Sequence, residues 1–329
     1  MTYSTRIAGT GSYLPRKTLS NQDFESYLET SDEWIRERTG ISQRHIAAEG
    51  EATSDMALVA SQRALEAAGL KARDVEAIIF ATVTPDQVMP NTACMLQVRL
   101  GCGSVMALDI SAACSGFLYA LSIADQYIRT GMYTNILVVG AETLSRIIDY
   151  QDRTTCILFG DGAGAAVVTR ATEGQTSKIF SSHLHANGEL GSLLTLPAGG
   201  SRIPLSQDAL DKKLHFVQMN GREIFKAAVR ALRDRCTNAL NASQMSLGDI
   251  HWFVVHQANS RIIEAVGQTL DIPRERLLMN VGVTGNTSSA SIPILFDQAV
   301  RENKIRRGEN VMLAAFGGGL TSASVLLRY

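Results

Sequence analysis

The chain repeats itself, and the repeat constrains the fold more than any other feature. "DVEAIIFATV" (Asp74 to Val83) and "DIHWFVVHQA" (Asp249 to Ala258) share one pattern: an aspartate, a short apolar strand, and polar residues at its exit. Each follows an alanine-rich helical segment, residues 54–68 and 222–240. Each is followed by an Asn-led helical segment, "NTACMLQVRLG" or "NSRIIEAVGQTLD". Strand-to-helix junctions come next at Cys114 and Asn286. Two more strands close each half, "NILVVGAE" and "GAGAAVVTR" in the first, "NVMLAAFGGG" and "SASVLLRY" in the second. This common order at near-equal spacing predicts a duplicated α/β unit. Near-continuous apolar strands predict sheets covered by helices on both faces. The polar, unpatterned "ATEGQTS" (residues 171–177) places the division between the halves, expected as residues 1–174 and 175–329. "LSQDALDKKLHF" reads as a surface insertion in the second half.

Charge and cysteine usage exclude several function classes. Lys and Arg number 31 against 32 Asp and Glu, for a net charge of -1, so nothing draws the whole chain to nucleic acid. No apolar run approaches the ~20 residues of a membrane span, and "MTYSTRIAGTG" is too short and polar for a secretory signal. The five cysteines, at 94, 102, 114, 156 and 236, are odd in number and lack metal-ligand spacing. Free thiols in a reducing cytoplasm, with no metal site, are therefore expected.

Three residues at element ends can carry chemistry. In "ALDISAACSGFLYALSIADQYIRTG", Cys114 sits among small residues where a strand passes into a helix. Such junctions bind substrates in α/β proteins, and a helix N-terminus favours a thiolate. A buried small hydrophobe is the competing reading, because free cysteine is commonly buried. His256 leaves the strand "WFVV", and Asn286 lies in the turn "VTGNTSSAS". Alone, these are equally a structural hydrogen-bonder and an N-cap or turn. Together with Cys114 they form a coherent acyl-transfer set: thiolate, imidazole and orienting amide. "LFGDGAGAAVV" is no phosphate loop, since it lacks the Lys-Ser/Thr ending and leads into a strand. The glycines of "AFGGGLTS" fit backbone N–H donors for an oxyanion and equally a crowded turn.

Seven motifs in order, spanning nearly the whole chain, resemble the β-ketoacyl-acyl-carrier-protein synthase III family of condensing enzymes. They are "GTGSYLP", "TSDEWIRERTGI", "AACSGF", "DRTTCILFGDGAGAAV", "HQANSRII", "GNTSSASIP" and "AFGGG". The resemblance implies a homodimer with a five-layer αβαβα core made of two thiolase-like halves. It implies decarboxylative condensation of an acyl-CoA primer with malonyl-loaded acyl carrier protein, at the start of type II fatty acid synthesis. Acyl-CoA is then a substrate, with no permanently bound cofactor and no metal.

By that resemblance Cys114 is the nucleophile, and His256 and Asn286 bind the malonyl thioester carbonyl. The backbone N–H groups of Cys114 and Gly318 form the oxyanion hole. Trp34, Arg38 and Arg153 match the coenzyme A entrance, Gly221 and Asn259 the pantetheine channel. Lys226 and Arg261 match positions that dock the acidic carrier protein.

Departures from the family pattern bear on substrate range. Met89 stands where some members reach an aromatic ring into the partner's acyl pocket, and Leu320 where many have phenylalanine. Both changes imply an acyl pocket that takes primers of roughly four to eight carbons. Gln268 and Thr269 replace a docking lysine pair, and Gly282 to Thr284 depart from the usual stretch before "GNTS". The alternatives are a condensing enzyme of secondary metabolism, a 3-hydroxy-3-methylglutaryl-CoA synthase, and a silent partner subunit, which usually lacks the cysteine.

Overall fold

The computed structural model of the chain describes residues 3–329. Its five-stranded sheet runs Thr5–Tyr13, Gly162–Arg170, Asn135–Glu142, Ala77–Ala81, Met106–Ile110. Two antiparallel pairings are followed by two parallel ones. The four-stranded sheet runs Lys178–Ala186, Thr321–Arg328, Asn310–Gly317, Trp252–Val255. Its pairings are antiparallel, antiparallel, parallel, the same series as the first sheet. The duplicated core read from the sequence is therefore present in strand order and direction. In the second unit the fifth strand shrinks to a single parallel bridge between Phe253 and Leu277. The residues before that bridge, Pro273 and the charged Arg274, Glu275 and Arg276, form a turn and cannot supply a buried edge strand.

Side-chain alternation along each strand sorts the apolar residues into layers. Ile78 and Phe80 pack outward against Met56, Ala60 and Leu96 of helices Thr53–Ala68 and Thr92–Leu100. Ala77 and Ile79 pack inward against Leu118, Leu121 and Ile292 of helices Gly116–Arg129 and Ser291–Arg301. Val311 and Leu313 of the second sheet meet the same inner layer. Met312 and Ala314 face Leu232, Cys236 and Ile263 of helices Gly221–Ser243 and Ser260–Thr269. The order is helix, sheet, helix, sheet, helix, and both halves share the central helical layer. Each fully buried aliphatic side chain stabilises this stack by roughly 1.5–3 kcal/mol.

The Asn-led helices are as the sequence predicts. Asn91 and Asn259 cap them, each side-chain oxygen accepting from a backbone N–H at 2.9 Å. Residues 205–216 lie on the surface around the short helix Gln207–Asp211. Among the described residues, no helix is long and apolar enough to cross a membrane.

Candidate active site

The two inner helices begin alike. A turn at Ala113–Ser115 precedes helix Gly116–Arg129, and a turn at Ser288–Ala290 precedes helix Ser291–Arg301. Ala113 and Ser288 open these turns at φ 47° and 49°, a left-handed conformation unfavourable for residues other than glycine. The structural counterpart of Cys114 is thus Ser289, which lies as far beyond Trp252 as Cys114 lies beyond Ala77. Asn286 enters three residues earlier, from the loop before the turn. This corrects the equivalence of Cys114 and Asn286 drawn from spacing, which overlooked the short turn between loop and helix.

Cys114 is 8% exposed, and burial pushes its thiol up to about 12. The nearby Glu142 carboxylate adds to the rise, and the Ser288 hydroxyl opposes it. A Cβ on Gly317 would lie 2.6 Å from the Cys114 backbone nitrogen, so only glycine permits this approach of strand to turn. Thr321 fastens the same junction by donating its hydroxyl to the Ala112 carbonyl at 2.8 Å.

His256 follows strand Trp252–Val255, and its backbone N–H donates to Ala314 at 2.8 Å. The ring is buried, and burial alone lowers its pKa to about 3, so the imidazole is neutral. Its Nδ1 lies 2.7 Å from Ser291 Oγ. Asn286 is clamped by the glycine-rich stretch: its backbone N–H donates to Leu158, and Gly160 donates to its carbonyl. Its side-chain oxygen accepts from the Ser288 backbone N–H at 2.9 Å, which leaves the amide nitrogen to donate elsewhere. "LFGDGAG" is therefore a backbone clamp for Asn286.

One cavity of ≈ 560 Å³ brings together Cys114, His256, Asn286, Arg38, Gly221, Lys226, Asn259 and Arg261. Trp34 packs near Arg38 of its lining, with the guanidinium groups of Arg38 and Arg153 4.4 Å and 5.1 Å from the ring centre. A second cavity of ≈ 330 Å³ shares Cys114, Phe159 and Leu194 with the first. Val83, Leu144, Ile147 and Val217 line it, together with Gly318 and Thr321. Cys114 stands where the two cavities meet.

Two expected acyl-pocket residues lie elsewhere. Leu320 is buried in a separate cavity with Leu193 and Ala231, because two backbone hydrogen bonds exchanged with Asn187 turn it away from Cys114. Met89 is 83% exposed, in a surface loop that does not line its own chain's chamber. Glu142, Ser288 and Ser291 escaped the sequence reading. All three are buried beside Cys114 or His256, but a serine or glutamate inside an ordinary strand or helix pattern carries no spacing signal.

Comparison with known proteins agrees with this geometry. Residues 108–188 match the 3-oxoacyl-[acyl-carrier-protein] synthase III model, and residues 240–329 match the C-terminal model of the same family. The chain is 50% identical to the β-ketoacyl-[acyl-carrier-protein] synthase III of Caldanaerobacter subterraneus, over 98% of this chain and 97% of that protein. It is also 50% identical to the Methylococcus capsulatus protein of the same name, over 100% of both chains. The crystal structure of 3-oxoacyl-[acyl-carrier-protein] synthase III from Aquifex aeolicus superposes with a TM-score of 0.91 at 45% identity, covering 99% of this chain and 100% of that one.

Proposed function

The chain belongs to the 3-oxoacyl-[acyl-carrier-protein] synthase III family, and we propose that Cys114, His256 and Asn286 perform its condensation. It is an acyltransferase that joins an acyl primer to a malonyl unit in fatty acid synthesis. The observation that carries the residue assignment is the convergence of all three side chains on one cavity. The Cys114 sulfur attacks the thioester carbonyl of acyl-CoA, and coenzyme A leaves as a thiol. The backbone N–H groups of Cys114 and Gly318 receive the charge that develops on the carbonyl oxygen. Malonyl-carrier protein then enters the same cavity. Its thioester oxygen accepts from His256 Nε2 and the Asn286 amide, carbon dioxide departs, and the enolate attacks the acyl-cysteine. A neutral imidazole suits this step because it donates a hydrogen bond without protonating the carbanion.

The entrance fits an anionic, adenine-bearing thioester. Trp34 offers a stacking face flanked by Arg38 and Arg153, and Gly221 and Asn259 border the route inward. Lys226 and Arg261 at the rim suit an acidic carrier protein through local attraction. Residues 1–174 supply Cys114, and residues 175–329 supply His256 and Asn286. A homodimer accounts for the exposed Val88, Met89 and Val98 beside the sheet-edge strand Met106–Ile110. In that dimer Met89 serves the partner's chamber. Five unpaired cysteines suit a cytoplasmic setting. Separating the half-reactions tests the roles: His256→Ala and Asn286→Ala retain acylation of Cys114, while condensation falls at least about 10²-fold. Wild-type condensation in either variant contradicts its role.

A further inference from the structure

The Cys114 thiol must lose a proton as it attacks, yet the residues with assigned roles offer no acceptor. Burial holds the group as a thiol. His256 cannot serve without surrendering the Nε2–H that condensation requires, and its Nδ1 is engaged by Ser291. Ser288 lines the same cavity as Cys114, its backbone fixed by the left-handed turn. Its hydroxyl donates to Glu142 Oε1 at 3.2 Å.

Glu142 is fully buried at the end of strand Asn135–Glu142, and among the described residues its contacts are hydroxyls and a backbone N–H, with no cation. Its Oε2 accepts from Thr84 Oγ1 at 2.6 Å, the Val83 backbone N–H at 3.0 Å and Thr82 Oγ1 at 3.1 Å. Its Oε1 accepts from Ser289 Oγ at 2.8 Å as well as from Ser288. Residues of the first half thus grip one carboxylate oxygen, and the turn of the second half grips the other. A carboxylate taken out of water is a stronger base than one in solution, and burial raises Glu142 in that direction.

We infer that Glu142, acting through the Ser288 hydroxyl, is the positioning residue that receives the Cys114 proton during acyl transfer. As the sulfur bonds to the carbonyl carbon, the thiol proton passes to Ser288 Oγ, and the serine proton passes to Glu142. When the tetrahedral intermediate collapses and the bond to the coenzyme A sulfur breaks, Glu142 returns the proton to Ser288, whose hydroxyl proton passes to the departing sulfur. Net charge in the site is unchanged throughout, and no further reactant is consumed. The inference rests on Cys114 being the nucleophile.

Single-turnover acylation by acetyl-CoA, followed by intact mass, separates the possibilities. Wild-type protein is the control: absence of an adduct at Cys114 refutes the nucleophile assignment itself. With that adduct present, Glu142→Gln and Ser288→Ala each slow acylation at least about 10²-fold, the ordinary contribution of positioned proton transfer. The double variant is no slower than either single one, and the solvent deuterium isotope effect on acylation disappears in all three. If Glu142 were only a repelling charge, its neutralisation would speed acylation. Equal or faster acylation in Glu142→Gln overturns the inference, as does additive loss in the double variant. Should Glu142→Gln fail to fold, Ser288→Ala decides alone: a wild-type rate or a retained isotope effect overturns the relay.

Discussion

Ser291 Oγ and His256 Nδ1 lie 2.7 Å apart, with both side chains buried. The serine opens helix Ser291–Arg301, and we propose that its hydroxyl donates to Nδ1, which would put the imidazole proton on Nε2. A helix of the inner layer thereby sets the tautomer of a residue carried by the second sheet. Ser291→Ala releases that choice. Acylation of Cys114 is expected to stay near the wild-type rate while condensation falls about 10-fold, in line with a lost buried hydrogen bond. Nitrogen NMR of His256 reads the cause directly: wild type shows Nε2–H, and the variant shows a mixture.

Burial of His256 also leaves a mark on stability. Its native pKa is about 3 against an ordinary 6.5, so between those values the unfolded chain binds a proton that the native chain refuses. Stability therefore falls as pH drops from ~6.5 towards ~3. Denaturation midpoints across this window should show a smaller loss in His256→Gln than in wild type. Equal slopes would mean that the imidazole is not held neutral.

We propose that the cavity beside Cys114 sets primer range. Its ≈ 330 Å³ is lined by Val83, Leu144, Ile147 and Val217. Filling it with Val217→Phe should leave acetyl-CoA a good primer and depress kcat/KM for octanoyl-CoA. Each methylene denied burial costs about 0.8 kcal/mol, so the loss grows roughly fourfold per carbon pushed out. Leu320→Phe should change this profile little, because Leu320 faces a different cavity.

Much of this arrangement is legible in the sequence, for a physical reason. Strand and helix periodicity repeat, so "DVEAIIFATV" and "DIHWFVVHQA" reveal two sheets with one topology. Cys114 and His256 end elements whose apolar patterns are strong, whereas Asn286 sits in a loop that the repeat alone places three residues off. Contacts between elements leave no such trace. Nothing in the spacing shows that Glu142 reaches Ser288 and Ser289 in the other half, or that Ser291 faces His256. Leu320 misled because its orientation depends on backbone pairing with the distant Asn187.

Every role assigned above depends on an acyl group passing through Cys114. Incubation with acetyl-CoA followed by intact-mass measurement, then a chase with malonyl-carrier protein, tests it most directly. One acetyl group per chain is expected, mapped to Cys114, absent in Cys114→Ala and cleared by the chase as 3-ketoacyl-carrier protein appears. An adduct that persists in Cys114→Ala, or one that the chase leaves in place, would contradict it.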